Sequence, residues 1–323
     1  MKKILIKDKV YGNHLITEPV LIELLKSKPV QRLKKISQFG IPDKYYHIKN
    51  FSRYEHSVGV MLLIKILKGS IEEQIAGLLH NASHTAFSHV IDWVVGEAGD
   101  ETYQDDQHEN IINSGEISKI LKKYNYSPKT IADYHNFKLL ERDIPDLCAD
   151  RVDYSLRELP VTISKTLVKS LVNINNKIVF KNQRSALAFA TNFLKLQKKH
   201  WGGFEGVSRF KLFSNILKLA IKDKTINLAD FLKDDQYVIK KILKTKNNKI
   251  LATLKILKNK KLPFSKETEV VYKKFRYTDP EFLSPEGIKR LSKVDPKFKK
   301  FIEQQRLNNK KGVKSPVFNI INT

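Results

Sequence analysis

One cysteine stands among 323 residues, which leaves no disulfide framework and suits a reducing compartment. That residue, Cys148, lies in IPDLCAD (144–150) and reads as a buried structural thiol. Long apolar runs are missing too. VGVMLLIKIL (58–67) is about half the length of a membrane span and contains Lys65. The N-terminal MKKILIKDKVYG is basic but lacks the apolar stretch of a secretory signal. A cytoplasmic protein with no membrane partner is expected. Arginine is scarce, with 10 residues against 49 lysines. Acidic residues run short in one half only. Residues 1–160 hold 22 basic and 22 acidic side chains, while 161–323 hold 37 and 12, so the second half carries the whole net charge of +25.

Two readings of that charge stay open. One is a C-terminal surface that meets a polyanion such as nucleic acid. The other is a set of solvated lysine faces, and the scarcity of arginine favours it, because arginine is the better tool for phosphate forks and base edges. What the chain does have is core material: 41% hydrophobic and 10% aromatic residues exclude global disorder.

Helical periodicity dominates residues 15–160. EPVLIELLKSKPVQRLKKISQFG (18–40) reads as a helix, a break at Pro29 and a second helix closed by Gly40. Residues 54–69 are helical. SIEEQIAGLLHN (70–81) opens with Ser70 and Glu73 in capping-box spacing. FSHVIDWVV (87–95), 108–124 and 137–159 carry further helical patterns. SLVNINNKIVFKN (170–182) is a β-hairpin signal, SALAFATNFLKLQKKHW (185–201) and 234–262 are helical, and the basic 306–316 is expected to be mobile. The chain divides into a helical core, 1–165, and a basic, mostly helical region, 166–323, with a hairpin near 170–182.

The chemistry centres on LLHNASHTAFSH (78–89), with His80, His84 and His89 in ten positions. His80 and His84 share a helix face if the helix runs that far. A metal site needs further ligands, and His56 upstream with Asp150 and Asp153 downstream are available. Histidines with carboxylates suit Mn, Fe, Ni, Zn or Mg.

RYEHSVGV (53–60), LLHNASHTAFSH (78–89) and ADRVDYSLRE (149–158), in that order, resemble the signatures of the HD-domain metal-dependent phosphohydrolases. The likeness is closest to the branch of the deoxynucleoside triphosphate triphosphohydrolases. It covers residues 7–160, with a fainter run through VYKKFRYTDPEFL (271–283). The resemblance implies a mainly α fold, an HD-domain helical core with a small β element in the C-terminal half. It implies a hydrolase that attacks a phosphate of a nucleotide, most of all a (d)NTP, with metal-activated water. His56, His80, Asn81 and Asp150 fall at the metal-ligand positions. His84, His89 and His108 match the catalytic histidines. Arg53 and Arg151 fall where cations touch phosphates, Tyr154 where a ring packs on the sugar, and Gln38 and Phe39 near sugar and base. The family also implies a homo-oligomer. On this reading the cleft need not draw on the basic C-terminal half.

Two residues depart from the pattern. Glu158 replaces the usual aspartate near the sugar. Asn81 replaces the aspartate of the His-Asp pair that gives the family its name, so the metal loses a negative ligand. Three explanations stay open: a deliberate inactivating change, a natural change with activity kept through His56, His80 and Asp150, or a protein that binds nucleotides or nucleic acid without hydrolysis.

Overall fold

The computed structural model describes residues 3–96 and 103–318. The chain opens with an antiparallel hairpin, β1 (Ile4–Asp8) and β2 (Gly12–Ile16), which the helical reading of residues 15–160 did not include. Asp8 Oδ1 closes its turn by accepting from the backbone N–H groups of Val10 and Tyr11.

Helices α1 (Pro19–Lys26) and α2 (Lys28–Arg32) follow. The break falls at Ser27, two residues earlier than expected. Pro29 sits in the first turn of α2, where its missing N–H would have no intrahelical partner anyway. The second helix stops well short of Gly40, whose φ of +73° instead serves a tight turn. A Cβ there would lie 2.7 Å from the carbonyl oxygen of Phe87.

The motif-bearing helices are α3 (Arg53–Ile66), α4 (Ile71–Leu79) and α5 (Ala149–Glu158). A reciprocal capping box of Ser52 and Glu55 starts α3. Ser70 caps α4, but Glu73 does not return the bond. Its carboxylate accepts from the N–H groups of Leu139 (2.7 Å) and Leu140 (3.3 Å), which ties α4 to the segment leading into α5. That segment, 137–148, is largely irregular where a helix was expected. Helix α3 packs on α4 and α5 through a continuous apolar core that includes Val60, Leu63, Leu78, Val152 and Leu156.

Helix α3 meets α5 at Gly59. A Cβ on Gly59 would fall 2.0 Å from Arg157 Nη2 and 2.1 Å from Asp153 Oδ1. Gly59→Ala must therefore push apart a buried ion pair, and a stability loss of about 2–4 kcal/mol is expected in denaturant titration. An unchanged midpoint would refute that packing.

The expected hairpin is present as β3 (Leu171–Ile174) and β4 (Lys177–Phe180), turned by Asn175 and Asn176 at φ of 50° and 58°. The β content exceeds one hairpin. Helix α6 (Gln183–Leu196) and helix α7 (Phe204–Lys222) come next in the chain. Strands β5 (Thr268–Val271), β6 (Glu281–Ser284), β7 (Gly287–Arg290) and β8 (Val313–Pro316) complete a four-stranded sheet ordered β3-β4-β6-β7 and a separate β5-β8 pair. The tail expected to be mobile is regular: helix α8 (Pro296–Lys310) covers its first part and β8 pairs with β5 along the rest. The lysine-rich 234–262 does form helices, Asp235–Ile242 and Asn248–Leu257, which bury Val238, Ile242, Ile250, Leu254 and Leu257.

Two apolar clusters each draw on both halves of the chain. One joins α3–α5 to Phe189 and Phe193 of α6. The other joins Ile41, Tyr45, Phe87 and Trp93 to Phe213, Ile216 and Leu217 of α7. Arg209 of α7, fully buried, donates to the carbonyls of Tyr45 (2.9 Å), Leu257 (2.7 Å) and Asn259 (2.6 Å).

Candidate metal centre and pocket

Helix α4 ends at His80, and the chain then turns tightly through His84 to His89. Residues 87–95 form two short helical pieces, Ser88–Val90 and Asp92–Val95. Phe87 and Ser88 take left-handed conformations, φ 64° and 48°, at a cost of about 1 kcal/mol or more each. Buried Asp235 holds that turn by accepting from Phe87 N–H and Ser37 N–H, both at 2.8 Å. Sequence position gave no hint of this tie, because Asp235 lies in the lysine-rich half.

Three donor atoms converge at the α3–α4–α5 junction. His56 Nε2 lies 3.2 Å from His80 Nε2 and 2.9 Å from Asp150 Oδ1, and His80 Nε2 lies 3.4 Å from the same oxygen. A divalent ion with bonds near 2.1 Å holds adjacent ligands about 3 Å apart, so the triangle has the right size. Its chemistry fits as well. His56 Nδ1 donates to Asp153 (2.7 Å) and His80 Nδ1 donates to the Gly77 carbonyl (2.7 Å). Both acceptors fix the ring proton on Nδ1, so each neutral ring turns an Nε2 lone pair toward the other. The lone pair of His56 and the Asp150 oxygen, 2.9 Å apart, call for a proton or a cation between them, while His80 Nε2 has the NH2 group of Asn81 at 2.7 Å. Burial opposes charge on His56, yet hydrogen bonds from its ring to Asp150 and Asp153 outweigh that and raise its pKa. Burial lowers the pKa of His80. Asp153 is in turn locked by Arg157 Nε (2.8 Å), whose Nη2 reaches Asp8 (2.8 Å).

Asn81 sits beside the triangle with its amide turned away from a ligand's orientation. Arg53 Nη1 can only donate, and it donates to Asn81 Oδ1 at 3.0 Å. That leaves Asn81 Nδ2 facing His80 Nε2 (2.7 Å) and Ser57 Oγ (3.2 Å). Arg53 itself is anchored by Ser88 Oγ (3.0 Å) and the Gln38 carbonyl (3.4 Å).

Above the triangle opens a cavity of about 670 Å³. Gln38, Phe39, Arg53, His80, Asn81, His84, His89, Asp150, Arg151, Tyr154 and Glu158 all line it, so it gathers nearly every residue singled out in the sequence. His56 lies beneath, fully buried. His108 does not line the cavity. It packs behind Tyr134 at 4.3 Å between ring centres, and Tyr134 donates to the His80 carbonyl. The rings of His84 and His89 stand edge to face at 4.8 Å. Burial, with Arg53 adding, holds the His84 pKa well below the usual histidine range, and its Nε2 is a buried atom without a hydrogen-bond partner among the described residues. Arg151 turns its guanidinium to the carbonyls of Asp146 (2.6 Å) and Arg142 (3.1 Å) and to Glu141 (3.6 Å).

The C-terminal half does build part of this cavity, against the sequence-based expectation. His200, Trp201, Gly206, Phe210, Lys273, Lys274 and Arg276 line it too. His200 stands on a π-helical turn, Gln197–Trp201, and a Cβ on Gly206 would lie 2.2 Å from its carbonyl oxygen. Glu158 accepts from His200 Nδ1 (2.5 Å) and Trp201 Nε1 (2.7 Å), and Tyr46 Oη bonds His200 Nε2 (2.8 Å). The longer glutamate reaches donors supplied by the second half. The HWGG run was the one visible signal.

The HD domain family matches residues 53–158, a span that starts at Arg53 and ends at Glu158. The uncharacterized protein YdhJ of Bacillus subtilis is 38% identical over 319 residues, 95% of this chain and 97% of that protein. The metal-dependent phosphohydrolase cns2 of Cordyceps militaris is 40% identical over 155 residues, 48% of this chain and 45% of that protein. The mouse deoxynucleoside triphosphate triphosphohydrolase SAMHD1 is 28% identical over 144 residues, 38% of this chain and 22% of its own. With the three motifs folded onto one histidine–aspartate triangle, these likenesses make the chain a member of the HD-domain metal-dependent phosphohydrolase superfamily.

Proposed function

We propose that this chain hydrolyses a phosphate bond of a nucleotide, a (d)NTP above all, with His56, His80 and Asp150 holding a divalent ion. The carrying observation is the donor triangle at the floor of a nucleotide-sized cavity. The name of the mouse relative supports a deoxynucleotide substrate. When bound, the ion supplies an acidified water and offsets charge on the attacked phosphate. Arg53 adds fixed positive charge beside it. Neutral His84, its Nε2 unpartnered, is able to take or relay a proton at the reacting centre, with His89 as its neighbour. Tyr154 stacks edgewise on Trp201 at 5.3 Å and offers a platform for the sugar. Phe39 contacts His200 at 4.6 Å between ring centres and lines the end for sugar and base with Gln38.

One observation favours a second reading, a protein that binds nucleotides or nucleic acid with impaired hydrolysis. Asn81 offers its NH2 group, not its oxygen, to the side where the ion would sit. The two readings separate on incubation of the intact chain with dNTPs, NTPs and single-stranded nucleic acid in the presence of Mn, Fe, Ni, Zn or Mg. Release of phosphate or triphosphate from a nucleotide supports the first. Binding without turnover under any of these ions supports the second.

A further inference from the structure

We propose that residues 273–276 form a cationic strap that grips phosphates, so that the cavity takes a condensed phosphate chain. The proposal rests on the phosphohydrolase reading above and extends it to residues of the C-terminal half.

The segment lies between β5 and β6 and has no regular secondary structure of its own. Phe275 and Tyr277 stack at 5.5 Å and 14°. The guanidinium of Arg306 on α8 covers both rings, at 5.3 and 4.7 Å. Phe275 and Tyr277 are thus held against α8, while Lys273, Lys274 and Arg276 of the same segment line the cavity. The backbone is tied in place. Asn309 Nδ2 donates to the Lys273 carbonyl at 2.8 Å. Gln197, buried, donates through Nε2 to the Lys274 carbonyl (3.4 Å) and to Asn309 Oδ1 (3.0 Å). Lys273 Nζ lies 3.7 Å over the ring of Phe210, another wall residue.

The charge of the cavity points to an anion with several phosphates. Arg53, Arg151, Lys273, Lys274 and Arg276 line it. The acids on its wall are each paired, Asp150 with His56 and His80, Glu158 with His200 and Trp201, and Glu141 with Arg151. The 670 Å³ cavity far exceeds one phosphate group. Phosphate is bound most tightly where fixed cations meet it out of bulk water, and a chain of phosphates can meet several of these cations at once.

The probes are inorganic tripolyphosphate and orthophosphate, titrated calorimetrically into the full chain after removal of metal by a chelator, at constant ionic strength. The native chain should bind tripolyphosphate at least about tenfold more tightly than orthophosphate. Lys274→Ala with Arg276→Ala should remove that preference, Lys274→Arg should keep it, and Gln197→Leu should weaken it by loosening the strap. A native chain with no preference overturns the proposal. So does a double variant of native melting temperature that keeps the full preference. Should the double variant fail to fold, Lys274→Gln decides alone, by losing or keeping the preference. The test reads no hydrolysis, so a lack of turnover counts against the enzymatic reading and leaves this result standing.

Discussion

Replacing Asp150 with alanine should lower nucleotide turnover by on the order of a thousandfold or more and strip the chain of its divalent ion. Asp150 is the one anionic donor of the triangle, and both histidines hold its carboxylate well below the usual aspartate range against the cost of burial. Without it, His56 and His80 present two neutral nitrogens 3.2 Å apart, too weak a set to retain an ion at low concentration. The helix should survive the change, because the Asp153–Arg157 pair and the apolar face of α5 remain. Metal analysis and a steady-state assay check the result together. Turnover within about tenfold of native would show that the reaction does not depend on this triangle.

The second large effect is a gain. Asn81→Asp should tighten divalent metal binding by about 10- to 100-fold. A carboxylate has two acceptor oxygens. One can keep Arg53 Nη1 as its partner, and the other replaces the NH2 group that now faces His80. The ion would gain a fourth protein ligand and a second negative charge. In the metal-free variant the new carboxylate would stand near Asp150, so its melting temperature should respond more steeply to added metal than that of the native chain. Chelator competition and thermal unfolding against metal concentration measure both. Equal metal affinity in the two chains would mean that residue 81 stays outside the ion's reach in either form.

The local parts of this fold were legible and the long-range ones were not. Helix α4 announces itself through its cap, α3 and α5 show apolar spacing, and Asn175–Asn176 marks its hairpin, because those signals act within a few residues. Glu73 shows the limit. Its spacing says capping box, yet the backbone of Leu139 and Leu140 competes for the carboxylate and wins. Pro29 fits either a break or a first helical turn, and Ser27 decides it. The basic tail pattern gave mobility, while pairing of Val313–Pro316 with Thr268–Val271 required a strand some forty residues away.

The site divides the same way. The residues of the three motifs lie on or beside three helices and meet at one place, while His108, outside those motifs, packs behind Tyr134. Glu158 could be seen as a departure but not as an answer, since His200 and Trp201 come from another region of the chain. The cations of residues 273–276 were visible as letters, and only the folded chain shows that they line the cavity.

The central claim is a metal centre built from His56, His80 and Asp150, and its most direct test is the metal content of the intact chain by mass spectrometry. The native chain should carry about one divalent ion, and His80→Ala, folded by circular dichroism, should carry none. A native chain that takes up no ion from any of the five metals, or a His80→Ala chain that holds it as tightly, would contradict the account.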